Sequence, residues 1–263
     1  MSQKTRPTSC CLDKDLGILS DGIAQWRQIF ANTTKYVMMG TSSNFGDMFS
    51  AGGASLFLSF LPMLPTQILL NNLLYDVSEM TIPTDDVDAE QLRRPAHWDL
   101  HLIRRFMLFF GPISSIFDFA TFAVMIWVFD AHAALFRSCW FVESLATQSL
   151  AIFAIRTHRV PFFRSRPSTP LTITTLVCVA LGAYLPFSPL AHVLGFSALP
   201  AAFLGFLIAA IVLYLVIVEL GKRRFYRVSG PARPRAPRPA RRSVHRRASR
   251  WSIPGRLHHG FSA

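Results

Sequence analysis

Six apolar stretches of bilayer length recur along the chain between short polar connections, at 34–60, 64–83, 104–129, 135–157, 169–188 and 199–221. Each approaches the roughly 20 residues that a helix needs to cross a hydrocarbon layer. Ahead of them, residues 12–33 set Ile23, Trp26, Ile29 and Phe30 on one side at helical spacing. That pattern predicts an amphipathic stalk helix running without a proline into the first apolar stretch. Residues 1–11 carry no periodicity and read as a disordered lead. Residues 229–263 are a Pro/Arg-rich, low-complexity tail that cannot bury a core and is expected to be disordered. The predicted fold is all-α, a polytopic transmembrane six-helix bundle over 34–228.

Composition supports the membrane class. The chain is 51% hydrophobic and holds 23 Phe against 15 acidic residues in total, unlike a soluble domain of this length. Its formal charge of +12 belongs to one end. From Lys222 onward there are thirteen Lys or Arg and no acid, whereas the preceding body is nearly balanced. The second connection carries Arg93, Arg94, Arg104 and Arg105, and the fourth carries Arg156, Arg159, Arg164 and Arg166. The alternate connections, around Pro62, His132 and Ser188, hold only Arg137. By the positive-inside rule both termini are cytoplasmic and the partner of the apolar surface is the lipid bilayer. The basic tail reads as solvated, and no nucleic acid is expected to bind. Cys10, Cys11, Cys139 and Cys178 lack the spacing of a zinc site or a disulfide framework. There is no apolar leader in the first thirty residues, and no nucleophile–base arrangement or phosphate-cradling glycine loop is visible.

The candidate chemistry lies in polar residues inside the apolar stretches. Asn44 precedes Asp47 by three positions, and Asn72 precedes Asp76 by four. These spacings put each amide and its carboxylate on one helix face. A carboxylate near a bilayer centre costs about 2.5–3.5 kcal/mol on insertion scales, and such residues usually mark an ion or proton path. Two such faces turned together would form an oxygen-lined cation site; the alternative is a set of interhelical hydrogen bonds. Glu143 and Gln148 are further polar intruders, read either as pathway-lining or as satisfied packing. Asp118, after Ser114 and Ser115, is expected to cross-link helices, and Glu219 to pair on the surface with Lys222 or Arg223. The acidic run from Asp85 to Glu90 reads as a solvated connection.

The strings "KYVMMGTSSNFGDMFS", "FLPMLPTQILLNNLLYDVSEMTIP", "RRFMLFFGPISSIFDFATF", "CWFVESLATQSL", "IRTHRVPFFRSR" and "YLPFSPLAHVLGFSALP" carry a more specific signal. In this order and spacing, from about Leu12 to Val228, the chain resembles the last six spanning helices of the magnesium-importing P-type ATPases. The resemblance implies that Asn44, Asp47, Asn72 and Asp76 bind the transported Mg2+ and that Tyr75 lines the site. It also brings Gln148 near a position for a third-helix ligand or a proton-handling group. Mg2+ is then cargo of a pump in the plasma (inner) membrane, driven by ATP through an aspartyl-phosphate. The family's "DKTGT", "TGES" and "GDGxND" motifs and its first four spanning helices do not occur here. This chain alone is therefore not expected to hydrolyse ATP, and its implied partner is the missing N-terminal half of the pump. The alternative is a non-catalytic half-pump or gene fragment acting, if at all, as a cation-binding or regulatory membrane protein.

Overall fold

The computed structural model describes residues 16–85, 87, 98–157 and 166–228. The expected lead, most of the acidic run after Asp85 and the Pro/Arg tail lie outside them. The described residues form helices and contain no strand.

The stalk and the first apolar stretch form one uninterrupted helix, α1, over Leu16–Ala54. Its 39 residues give a rod of about 58 Å, well beyond a hydrocarbon core of about 30 Å. It stops at Ala54, short of the expected 60, because Gly52 and Gly53 weaken its end and Pro62 and Pro65 disfavour helix beyond it. Helix α2 covers Pro65–Glu79. Pro65 suits the first turn, where its missing N–H has no partner to lose. Gln67 Oε1 accepts the Leu64 N–H at 3.0 Å. A 3-10 turn at Ile82–Thr84 follows.

Helix α3 (Leu100–Trp127) starts where Asp99 accepts the amides of His101 and Leu102, an N-cap that satisfies two orphan donors. Helix α4 is Ala133–Ile155. Helix α5 (Thr169–Tyr184) starts at Ser168, whose hydroxyl accepts the Leu171 amide, and runs into a 3-10 turn at Leu185–Phe187. A one-turn helix, α6 (Ala191–Leu194), closes on Gly195 at φ 72°, a left-handed position that glycine adopts without penalty. The last helix, α7, covers Ala201–Val228.

Among the described residues four segments, and not the six expected, are long and apolar enough to cross a membrane: Leu100–Trp127, Ala133–Ile155, Thr169–Phe187 and Ala201–Arg227. Helix α4 is the hub, with 89% of its spanning stretch buried against 28% for α5 and α7. It packs against α2, α3 and α5, while α1 lies along α3. Phe225 of α7 meets Phe106, Phe109 and Phe110 of α3, and Tyr214 stacks edge-on against Phe117. Small residues permit the closest approach: Gly46 of α1 faces Gly111 and Ser114 of α3, and Ser115 Oγ donates to the Gly46 carbonyl at 3.1 Å. Outward-facing Ile173, Leu176, Leu181, Ile208, Val212 and Val216 leave an apolar surface on α5 and α7, suited to lipid.

Two charged groups depart from the sequence expectation. Asp85, read as part of a solvated connection, is fully buried and receives Arg156 Nη1 on both carboxylate oxygens at 3.0 and 2.8 Å. The Ser168 amide also donates to it at 3.0 Å, and Asn32 of α1 donates to its backbone carbonyl at 2.9 Å. The cause is convergence: the middle of α1, the C-terminal end of α4 and the start of α5 meet at this residue. Glu219 does bond Lys222, at 2.8 Å, but the lysine is buried and also donates to the Ala154 carbonyl.

Candidate cation site

Helices α1 and α2 run antiparallel, joined by a short connection, and their side chains meet in register. Gly40 lies opposite Glu79, and Ser43 Oγ is 3.0 Å from Tyr75 Oη. One turn farther along, Asn44 and Asp47 of α1 and Asn72 of α2 line one cavity of about 340 Å³. Trp140 and Ser144 of α4 and Asn71 of α2 complete its polar side, and Met48, Ala51, Met63 and Ile68 line the rest. Three of the four residues expected to ligate a cation are thereby brought together, one amide and carboxylate from α1 and one amide from α2.

A hydrogen-bond network fixes the carboxylate. Asp47 Oδ1 accepts from the Gln148 side-chain amide and, at 3.3 Å, from Ser144 Oγ. Ser144 Oγ in turn accepts from Gln148 Nε2 at 2.8 Å and from Asn71 Nδ2 at 3.2 Å. Gln148 and Ser144 lie one turn apart on α4, so a single face of that helix serves the site. The fourth expected ligand, Asp76, is exposed on α2 and does not line the cavity. Tyr75 is buried and donates to Glu79 Oε1. Glu143 is fully buried on α4, away from the cavity lining. Asp118 of α3 sits deeper still, accepting from Ser50 Oγ at 2.6 Å and Trp140 Nε1 at 2.9 Å. It binds α1, α3 and α4 together.

Sequence reasoning did not place Asn71, Ser144 and Trp140 at the site. Asn71 faces α4, where its side-chain amide donates to Ser144 Oγ. The available signal was the one-turn spacing of Ser144 and Gln148, since a polar pair on one face of an apolar helix rarely points at lipid.

Among the described residues no three His, Cys, Asp or Glu side chains gather to hold a metal. The oxygen set is one carboxylate with amides and a hydroxyl, which suits a hard cation that retains water. A volume of 340 Å³ corresponds to about ten waters at liquid density, room for a cation with most of its hydration shell.

The family described as "Cation transporting ATPase, C-terminus" matches residues 60–224. The chain is 48% identical over 223 residues to "Magnesium-transporting ATPase, P-type 1" of Escherichia coli (strain K12), covering 83% of this chain and 25% of that protein. It has the same identity and coverage against the protein so named in Salmonella typhimurium (strain LT2). A second Salmonella typhimurium protein of that name is 45% identical over 219 residues, 82% of this chain and 24% of its own length. The chain thus spans about a quarter of the length of these relatives. With the match covering well over half of its residues, this chain belongs to the cation transporting ATPase family and corresponds to that family's C-terminal part.

Proposed function

We propose that the chain is the C-terminal membrane portion of a P-type pump importing Mg2+, and that it supplies most of the pump's cation site. The observation that carries this reading is Asp47: a carboxylate in an apolar bundle, flanked by Asn44 and Asn72 on a cavity wide enough for a hydrated ion. Mg2+ binds through one or two carboxylates while keeping several waters, and this oxygen set fits that habit. In this reading α1 and α2 are the first two of six spans, polar because they carry the ligands. The basic connections and tail keep both ends cytoplasmic. Asp76 shares a helix face with Asn72 and turns toward the side that other parts of the longer relatives would cover. It is the ligand completed by that missing surface. ATP hydrolysis and phosphoryl transfer belong to those other parts, and the long α1 carries their motion to Asn44 and Asp47.

The test is growth of a strain lacking Mg2+ uptake, with this chain co-expressed with the N-terminal part of a relative. Rescue at limiting Mg2+ that is lost in Asp47→Asn and in Asp76→Asn supports the assignment. Rescue indifferent to both substitutions refutes it.

A further inference from the structure

In the orientation proposed above, Arg137 is the one Lys or Arg of the outer connections, a placement against the usual charge bias. Its contacts give it a task. Its Nε donates to the Leu61 carbonyl at 2.9 Å, and its guanidinium lies 5.8 Å from the centre of the Phe60 ring. Residues 58–64, which join α1 to α2, adopt no helix or strand, so side chains must hold them. Phe60 also meets Phe136 of α4 edge-on, with ring centres 5.5 Å apart. At the other end of the connection, Gln67 accepts the Leu64 amide and donates to the Leu194 carbonyl at 2.8 Å. The connection is thus fastened to α4 at one point and to the end of α6 at another. Met63 lies between these fastenings, 6% exposed and lining the cavity. The lining changes character along the helix axes: Asp47 gives way to Met48 and Ala51 toward the end of α1, and Asn72 to Ile68 toward the start of α2. Met63 stands past this apolar collar, at the end of the cavity away from the cytoplasm. A hydrated cation crosses an apolar constriction only when the constriction widens and wets. A thioether on an unbranched chain is suited to moving aside and closing again.

We propose that Met63 is the outer gate of the cavity and that Arg137, acting through Leu61 and Phe60, is the residue that positions it. The proposal rests on reading the cavity as the transport site and extends that reading to how an imported ion enters. While Arg137 holds the Leu61 carbonyl, Met63 stays over the collar. Release of that carbonyl lets the connection swing outward and carries Met63 with it. Gln67 keeps the far end fixed, so the movement is a hinge at the start of α2.

The experiment uses the full chain carrying Met63→Cys in phosphatidylcholine nanodiscs, treated with a cationic methanethiosulfonate. Mass spectrometry reads the rate of modification at position 63, with Cys139 and Cys178, both buried, as internal references for general loosening. Modification at position 63 is expected to be slow. Adding Arg137→Met, which keeps the length but removes the donor and the charge, is expected to speed it about tenfold, the effect of losing one charge-assisted hydrogen bond. Adding Arg137→Lys instead, which keeps a cationic donor, is expected to leave the rate near that of Met63→Cys alone. Cys139 and Cys178 are expected to stay unmodified in all three chains. A rate at position 63 that ignores Arg137→Met overturns the proposal. Parallel acceleration at Cys139 and Cys178 overturns it as well, because Arg137 would then hold the whole bundle and not the gate. Mn2+ binding by the unlabelled chain is followed separately by electron paramagnetic resonance. A chain that takes no Mn2+ removes the transport reading, while the labelling rates, which involve no metal, still decide whether Arg137 positions Met63.

Discussion

Gln148 of α4 donates its side-chain amide to Asp47 of α1 across 101 positions of sequence. The carboxylate expected as a cation ligand is therefore aimed by a helix that contributes no carboxylate to the cavity. The same Asp47 oxygen also takes Ser144 Oγ, so two donors compensate it when no ion is bound. Asp47→Asn removes the charge that a divalent ion requires, while Gln148→Leu removes only one donor. Asp47→Asn is expected to weaken Mn2+ binding by tenfold or more, about 1.4 kcal/mol for each factor of ten. Gln148→Leu is expected to weaken it less and to lower stability by about 1–3 kcal/mol. Calorimetric titration of the full chain in nanodiscs measures both; equal affinities for wild type and Asp47→Asn would contradict the assignment.

Asp118 is a structural carboxylate, and its donors Ser50 Oγ and Trp140 Nε1 come from two other helices. Trp140→Phe keeps most of the ring and its contact with Phe122 but strips the N–H from Asp118 Oδ1. Leaving that buried oxygen unsatisfied is expected to cost about 1–3 kcal/mol. Ser50→Ala is expected to cost a similar amount through Oδ2. Equilibrium unfolding in mixed micelles checks both, and a Trp140→Phe chain as stable as wild type would show that Asp118 finds another donor.

The fold was legible where physical constraints act locally. Apolar length located the four helices long and apolar enough to span a membrane but not six such spans, and the absence of proline between residues 12 and 54 foretold a continuous α1 over Leu16–Ala54. The caps at Asp99 and Ser168 set helix starts that hydropathy alone blurs, moving α3 from an expected 104 to Leu100. At the site, helical spacing put Asn44 and Asp47 on one face of α1, and that face lines the cavity together with Asn72. It could not foretell that Asp76 would stand exposed, or that Glu79 would be buried. Both lie on the same stripe, and only the rotation and depth of α2 against α1 and α4 distinguish them. Asp85 was misjudged for a related reason: a local acidic run suggests solvent, but Arg156 reaches it from 71 positions away.

The Asp85–Arg156 pair predicts an asymmetry. Both side chains are almost fully buried, at 0% and 2% exposure, so removing one deprives its buried partner of this counter-charge. Asp85→Asn is expected to destabilise the chain by about 3–5 kcal/mol. Replacing both, as Asp85→Leu with Arg156→Met, is expected to recover much of that loss, since neither charge of the pair then remains buried. Recovery stays incomplete because the Ser168 amide and Asn32 also anchor at Asp85. Unfolding midpoints of the two single variants and the double variant decide it. A double variant as damaged as the worse single one would mean that the backbone anchors, and not the charges, hold the junction.

Gly182 of α5 lies against Leu145 of α4 so closely that a methyl built on the glycine would meet Leu145 Cδ2 at 2.1 Å. In a bilayer, helices associate through packing and not through exclusion from water, so this contact bears directly on how α5 docks. Gly182→Ala is expected to destabilise by about 1–3 kcal/mol through overpacking. The obstructing atom is the end of a side chain, so shortening that side chain removes the conflict. Leu145→Ala alone opens a void in a residue that is 1% exposed and is expected to cost about 2–5 kcal/mol. Combined, the new methyl partly fills the space that leucine vacates, and the double variant should fall short of the sum by about 0.5–3 kcal/mol. A double-mutant cycle measured by unfolding in micelles gives that coupling directly. A coupling near zero would mean that α5 shifts away from α4 to admit the methyl, and that the fit at Gly182 does not set the helix spacing.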